Sequence, residues 1–175
     1  SGHHVMWKHT GQQRPSFADQ PGPGQESVWD YPRPPALVSS DAVVEVRSGS
    51  LCLASSNACL RVLETASPPT YYIPAQDVEW SRLVQTTGSS YCEWKGEATY
   101  WALASDPEAG GVAWSYASPN ERFAAIEGCI SFYPSRVDCR VNSEQVKPQP
   151  GAFYGGWVTQ GVTGPFKGEP GTGHW

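Results

Sequence analysis

The chain is poor in the residues that carry most catalysis. Of its four histidines, His3 and His4 fall within residues 1 to 4, read as the remnant of an expression tag, with Met6 taken as the native start. The other two, His9 and His174, lie near opposite ends, so no serine or cysteine of the central region has a histidine base near it in sequence. Five cysteines are present, but no C-x-x-C pair, which removes the close ligand spacing of a zinc knuckle. An odd cysteine count with no secretion signal points to reduced thiols and a cytoplasmic protein. Charge is sparse and slightly acidic, with 12 Lys and Arg against 17 Asp and Glu, and no basic run. Nucleic acid is therefore not an expected partner. No run of 18 apolar residues occurs, so no membrane span is expected. The glycines of "GPFKGEPGTG" (164 to 173) lack a Gly-Lys-Ser/Thr ending, and "PGPGQ" is no dinucleotide fingerprint. No cofactor is expected.

What the chain has instead is eight Trp, eight Tyr, 18 Gly and 16 Pro. That mixture suits short strands joined by defined turns. A length of 175 residues fits one domain with appended arms. Residues 5 to 38 form the first arm, because six prolines between Pro15 and Pro35 forbid a helix interior or a central strand. Phe17, Trp29 and Tyr31 are its apolar anchors. Residues 148 to 175 form a second Gly/Pro/aromatic arm, anchored by Phe153, Tyr154, Trp157, Phe166 and Trp175. Residues 39 to 147 between them form the β-rich domain.

Within the domain, "VVEVR" and "LCLA" flank a hairpin turn at Ser48-Gly49-Ser50, and "VDCRV" and "EQVKP" flank one at Asn142-Ser143. "PAQDVEW" predicts a helical turn started by Pro74. "YCEWKGEATYWAL" (91 to 103) reads as the longest strand, with "AWSY" (113 to 116) as its partner. Alternation would turn Cys92, Trp94, Gly96, Ala98 and Tyr100 inward and place Lys95 with Glu93 and Glu97 on a charged outer face. Ser118-Pro119-Asn120-Glu121 predicts a capping box and one short helix, with Phe123 and Ile126 buried.

Candidate functional residues follow from the same alternation. Glu64 shares a face with Leu60 and Val62, so it is a carboxylate at the end of an inward apolar row. It needs a cationic partner, for which Arg61, Arg136 and Lys95 are candidates, or its pKa rises. A carboxylate so placed suits acid–base chemistry or ligand anchoring. Cys92 is read as a small buried hydrophobe or, alternatively, a nucleophile. Trp94, Tyr100, Trp114 and Tyr116 form either an aromatic core or the wall of a cavity. Tyr71 and Tyr72 point to opposite faces, so only one of them lines a given pocket.

The blocks "RVLETASPPTYYIPAQDV" (61 to 78), "YCEWKGEATYW" (91 to 101), "AWSYASP" (113 to 119) and "ISFYPSRVD" (130 to 138) resemble the signature of the bacterial family called domain of unknown function 427. The flanking arms resemble its longer members. The motif positions include Arg61, Glu64, Thr65, Tyr71, Tyr72, Cys92, Trp94, Lys95, Gly96, Trp114, Tyr116, Tyr133, Arg136 and Asp138. The resemblance implies a mainly β, β-tent-like fold of two small antiparallel sheets over a shared interior, with one short capped helix and the arms as a clasp. It also carries the label nucleotidyltransferase-like.

Three functions are open. The first is recognition of an unknown small molecule, with Arg61, Thr65, Tyr72, Trp94, Lys95, Tyr100, Trp114, Tyr116 and Arg136 as contacts; it requires an interior concavity of at least roughly 300 Å³. The second is an enzyme using Glu64 and Cys92, which requires both to face one solvent-connected space. The third is a protein-interaction module built on exposed rings of the arms, such as Trp29, Tyr154 and Trp157. The sequence fixes no oligomeric state.

Overall fold

The computed structural model describes residues 7–151 and 154–175. The tag remnant, Met6 and the Phe153 anchor lie outside the described residues. Among the described residues fifteen strands follow one another. The first six are β1 (Glu26–Ser27), β2 (Ala36–Ser39), β3 (Val44–Ser48), β4 (Leu51–Ser56), β5 (Leu60–Leu63) and β6 (Thr70–Tyr72). Next come β7 (Leu83–Cys92), β8 (Gly96–Leu103), β9 (Asp106–Ser115), β10 (Ile130–Phe132) and β11 (Asp138–Val141). The last four, β12 (Glu144–Gln145), β13 (Lys147–Pro148), β14 (Trp157–Val158) and β15 (Val162–Thr163), are two residues each.

The fold is mainly β, with three principal antiparallel sheets where two were expected. Their orders are β12-β11-β3-β4, β10-β9-β8-β7 and β2-β5-β6. Two small pairs involve the arms: β13-β14 is antiparallel, and β1-β15 is parallel and joins one arm to the other. Ile73 and Ile130 exchange backbone hydrogen bonds of 2.8 and 3.0 Å, which fastens the end of β6 to β10. Ala36–Ser39, partly inside the segment read as an arm, pairs with Leu60–Leu63 along its length.

Both expected hairpins form. Gly49 turns β3 into β4 at φ +59°, and Asn142 and Ser143 both adopt positive φ between β11 and β12. "YCEWKGEATYWAL" is not one strand. The chain reverses at Glu93-Trp94-Lys95, Cys92 pairs with Gly96, and Gly96 takes φ +106°. A residue with a Cβ is strained at that φ, so glycine is what permits the reversal. No Asn-Gly or Asp-Gly marks it, and the longest strand becomes a hairpin.

The expected capped helix is a 3₁₀ segment, Glu121–Ile126, broken by non-helical φ/ψ at Phe123. Asn120, not Ser118, precedes it, and no side chain caps it. The Asn120 side chain is used elsewhere: its Nδ2 donates to the Trp94 carbonyl at 3.0 Å while its backbone N–H donates to the Lys95 carbonyl at 3.0 Å. Burial still follows the expected spacing, with Phe123 and Ile126 both buried. Two further 3₁₀ turns, Ala75–Asp77 and Trp80–Arg82, occupy the "PAQDVEW" region.

Three apolar clusters result. The largest lies beneath β3, β4 and β11 and includes Leu53, Tyr71, Ile73, Phe132 and Trp157. The second contains Val62, Tyr72, Ala98, Trp114, Tyr116, Phe123 and Ile126. The third, Val28, Trp29, Tyr31, Leu63, Ala66 and Val162, is made largely by the arms. Tyr71 stacks on Trp157 at 5.0 Å, and Tyr72 meets Trp114 edge-on at 6.2 Å. Adjacent residues of β6 thus serve two clusters, as strand alternation requires. Among the described residues, no helix is long and apolar enough to cross a membrane.

Candidate functional site

The second cluster leaves a concavity of about 280 Å³, a little under the expected minimum for a ligand cavity. Its floor is Val62 and Glu64 from β5 and the segment after it, with Thr70 and Tyr72 from β6. Cys92, Lys95 and Tyr100 come from the β7–β8 hairpin, and Trp114 and Tyr116 from β9 and its end. An adjoining open concavity of about 440 Å³ shares Tyr100 and Tyr133 with it. The interior is therefore not filled by side chains.

Lys95 turns into this space, not onto the charged outer face that alternation assigned to it. The hairpin reversal breaks the alternation at residues 93–95, and Asn120 holds the turn by the two bonds described above. Lys95 is partly buried, and its ammonium lies 5.8 Å from the Phe123 ring. Burial opposes its charge, but Tyr72, Cys92 and Glu64 offset this, and its pKa is raised. Burial also raises the pKa of Tyr72, so at neutral pH that phenol is un-ionised.

Glu64 is partly buried, but none of the three expected cations is its ion-pair partner. Its Oε2 lies 3.5 Å from Nε of Arg33, whose side chain is 1% exposed. At that length the contact is an ion pair and not a strong hydrogen bond. The same guanidinium donates to the carbonyls of His9, Thr65 and Trp175, and lies 4.0 Å from the Trp7 ring centroid. Burial pulls the Arg33 pKa down, with the Glu64 charge acting against that. Arginine between two prolines in an arm gave no sequence signal of a buried cation.

The hydroxyl groups are ordered. Tyr72 Oη accepts from Trp114 Nε1 at 2.9 Å, and Tyr100 Oη lies 2.5 Å from Ser90 Oγ. Burial first, then the neighbouring Tyr100 hydroxyl, pushes the Tyr133 pKa up to about 12. Trp114 also packs on Tyr133 at 4.6 Å. Burial raises the Tyr116 pKa as well.

Of the eleven residues singled out from sequence, seven line the first concavity: Glu64, Tyr72, Cys92, Lys95, Tyr100, Trp114 and Tyr116. Four do not. Arg61 points to the other face of β5 and donates to both carboxylate oxygens of Glu26, at 2.9 and 3.2 Å. Thr65 is fully buried and its hydroxyl donates to the Tyr31 carbonyl. Trp94 sits in the hairpin turn and packs on the second cluster. Arg136 lines the second concavity. Missed by sequence were Ser67, Pro68, Thr70, Gln149, Tyr154 and Gly155. The last three come from the C-terminal segment, which was read as a clasp or an interaction surface and not as a wall of the cleft. Gly155 lies so close to Trp114 that an added Cβ would be 2.3 Å from its ring.

The Domain of unknown function (DUF427) family matches residues 36–143, more than half of the chain. The chain belongs to this family. A search of curated proteins finds no match. The family's segment begins at β2 and ends in the Asn142-Ser143 turn, so it contains both sheets of the cleft but not Gln149, Tyr154 and Gly155 of its wall. Two D-x-E spacings occur in the sequence, Asp77 with Glu79 and Asp106 with Glu108, and both lie outside the first concavity. Asp77 accepts from the Ser56 hydroxyl at 2.6 Å, and Asp106 and Glu108 are exposed at the start of β9. Among the described residues, no three His, Cys, Asp or Glu side chains are grouped to hold a metal ion.

Proposed function

We propose that this protein recognises a small polar molecule in the cleft between the β2-β5-β6 sheet and the β10-β9-β8-β7 sheet. One observation carries the reading: Lys95 and Glu64 line the same concavity, among the rings of Tyr72, Tyr100, Trp114 and Tyr116. Tyrosine and tryptophan give such a wall apolar area with fixed hydrogen-bonding tips. Opposite charges at one site favour a ligand that is neutral or carries both signs, because a lone ion would leave one of them uncompensated. The cleft alone, about 280 Å³, falls short of the required volume, but the adjoining concavity of about 440 Å³ that shares Tyr100 and Tyr133 with it exceeds it, and the two together give room for a small metabolite.

Native mass spectrometry of protein purified from cells tests this, run before and after denaturation. The expected result is a bound mass released by denaturation and depleted by Lys95→Met and by Glu64→Gln. A bare protein mass, with no small molecule restoring it, would overturn the reading.

A second reading is an enzyme. Cys92 and Glu64 border one open space, which supplies a thiol and a carboxylate to the same ligand. Glu64→Gln or Cys92→Ser would then abolish turnover while leaving binding in place. The interaction reading loses support in the arms, because Trp29 and Trp157 are wholly buried and Tyr154 lies partly buried in the cleft wall.

A further inference from the structure

The second concavity has a different electrostatic character from the first. Its lining is Thr86, Tyr100, Pro107, Gly110, Gly111, Tyr133 and Arg136. Arg136 is the one charged residue in that lining. Irregular pairing creates the hollow: β7 shifts register between Gln85 and Ser89, and β8 against β9 between Trp101 and Leu103. Bulges of this kind bend a strand and re-aim its side chains, and they recur next to binding sites.

Arg136 is held in place without being neutralised. Its Nη1 donates to the Gly111 carbonyl, and its guanidinium lies 4.8 Å from the Tyr133 ring centroid. Arg14, Arg33, Arg61 and Arg140 each have a carboxylate within ion-pair distance, and Arg136 has none among the described residues. Asp106 and Glu108 flank Pro107, but neither lines the concavity. A guanidinium fixed by stacking and one carbonyl keeps further N–H donors free in a planar fork, the geometry that receives a carboxylate or phosphate.

We infer that this second concavity is an oxyanion subsite, in which Arg136 and Thr86 receive the carboxylate or phosphate of a ligand whose other end occupies the Lys95–Glu64 cleft. The inference rests on the cleft reading and deepens it. The boundary between the two chambers is formed by Tyr100 and Tyr133, which line both. The ligand class is thus an elongated small molecule with one terminal oxyanion, its body lying along these two rings.

The test uses the full chain, ¹⁵N-labelled, titrated separately with benzyl alcohol, benzoate and phenyl phosphate while amide and arginine side-chain resonances are followed. Benzoate or phenyl phosphate should shift Thr86, Gly110, Gly111 and the Arg136 Nε–H together with residues of the first chamber. The tighter of the two probes names the oxyanion. Arg136→Gln should weaken that probe at least tenfold and leave benzyl alcohol unchanged. Arg136→Lys, which keeps the charge, should retain part of the affinity. If the anionic probes bind equally to Arg136→Gln, or shift only residues around Lys95, the subsite is overturned and the cleft reading stands. If none of the three probes shifts either chamber, both fall.

Discussion

Removing the Arg33 guanidinium would leave the carbonyls of His9, Thr65 and Trp175 without a donor and Glu64 without its nearest cation. Breaking a buried ion pair by deleting one partner costs about 3–5 kcal/mol. Arg33→Leu is therefore expected to lower the unfolding free energy, read from urea denaturation, by a margin of that order, and to weaken ligand binding through Glu64. Arg33→Lys should rescue little, because a single ammonium cannot replace a fork that meets several acceptors. Cysteine reactivity gives a second residue-scale expectation. Burial pushes the Cys59 thiol up to about 11 and raises those of Cys129 and Cys139, whereas Cys52 and Cys92 are only partly buried. Alkylation of the native protein should mark Cys52 and Cys92 first, and ligand should protect Cys92 alone. Equal labelling of all five would contradict this packing.

At this scale Glu64 was legible because strand alternation needs only its neighbours Leu60 and Val62. Its partner was not, since a contact between Arg33 and Glu64 depends on how an arm lies on a sheet. Lys95 was misassigned for a local reason: the reversal at Glu93-Trp94-Lys95 lacks the usual turn residues, and a single slip in phase exchanges the two faces of a strand.

The hairpin between β7 and β8 is the element that presents Lys95, and two features keep it there. Gly96 supplies the positive φ, and Asn120 holds the two successive carbonyls of Trp94 and Lys95 within the turn. Gly96→Ala should cost about 1–2 kcal/mol, because a Cβ at that φ is strained, and should reduce ligand affinity with it. Asn120→Ala should reduce affinity with a smaller loss of stability, since it frees the turn without straining it. Calorimetric titration beside thermal unfolding separates the two outcomes. The sequence marked Ser118–Glu121 as a helix cap because Ser-x-x-Glu has that form. The structure uses the asparagine within it to tie down a distant hairpin instead, a choice that no local pattern records. Gly155→Ala addresses the opposite wall: its Cβ would press into Trp114, and overpacking of this kind costs about 1–3 kcal/mol.

For the whole molecule, the arms determine the response to acid. Hydrogen bonds from Arg61 hold the Glu26 carboxyl below its ordinary range, and those from Arg14 do the same for Asp30. A carboxylate with a depressed folded pKa stabilises fully above its unfolded value and loses that contribution as the pH falls. His9 acts in the same direction. Burial, then Lys8, Arg33 and His174, lowers its pKa, so the detached arm takes up a proton before the folded one. Acidification should therefore loosen the N-terminal arm first through His9 below about pH 6.5 and then, below about pH 4.5, through Glu26 and Asp30, releasing it before the central sheets. Hydrogen exchange, corrected for intrinsic rates, should show residues 26–31 losing protection ahead of β8 and β9; simultaneous loss would contradict it. Aromatic residues among prolines marked Trp29 and Tyr31 as anchors, and both are buried. That the arms pair with each other through β1 and β15, and that the tail walls the cleft, was not readable, because both depend on contacts between opposite ends of the chain.

Those end-to-end contacts also set an order in time. The Trp29 indole donates to the Pro165 carbonyl 136 positions away, and Gln149, Tyr154 and Gly155 of the cleft wall follow every strand of the two sheets that bound the cleft. Contacts so distant along the chain form late, because loop closure must precede any gain from them. On a ribosome the sheets can assemble while the tail is still being made, but the cleft lacks one wall until Gln149, Tyr154 and Gly155 have emerged. A newly made molecule thus has its central sheets before its cleft is complete.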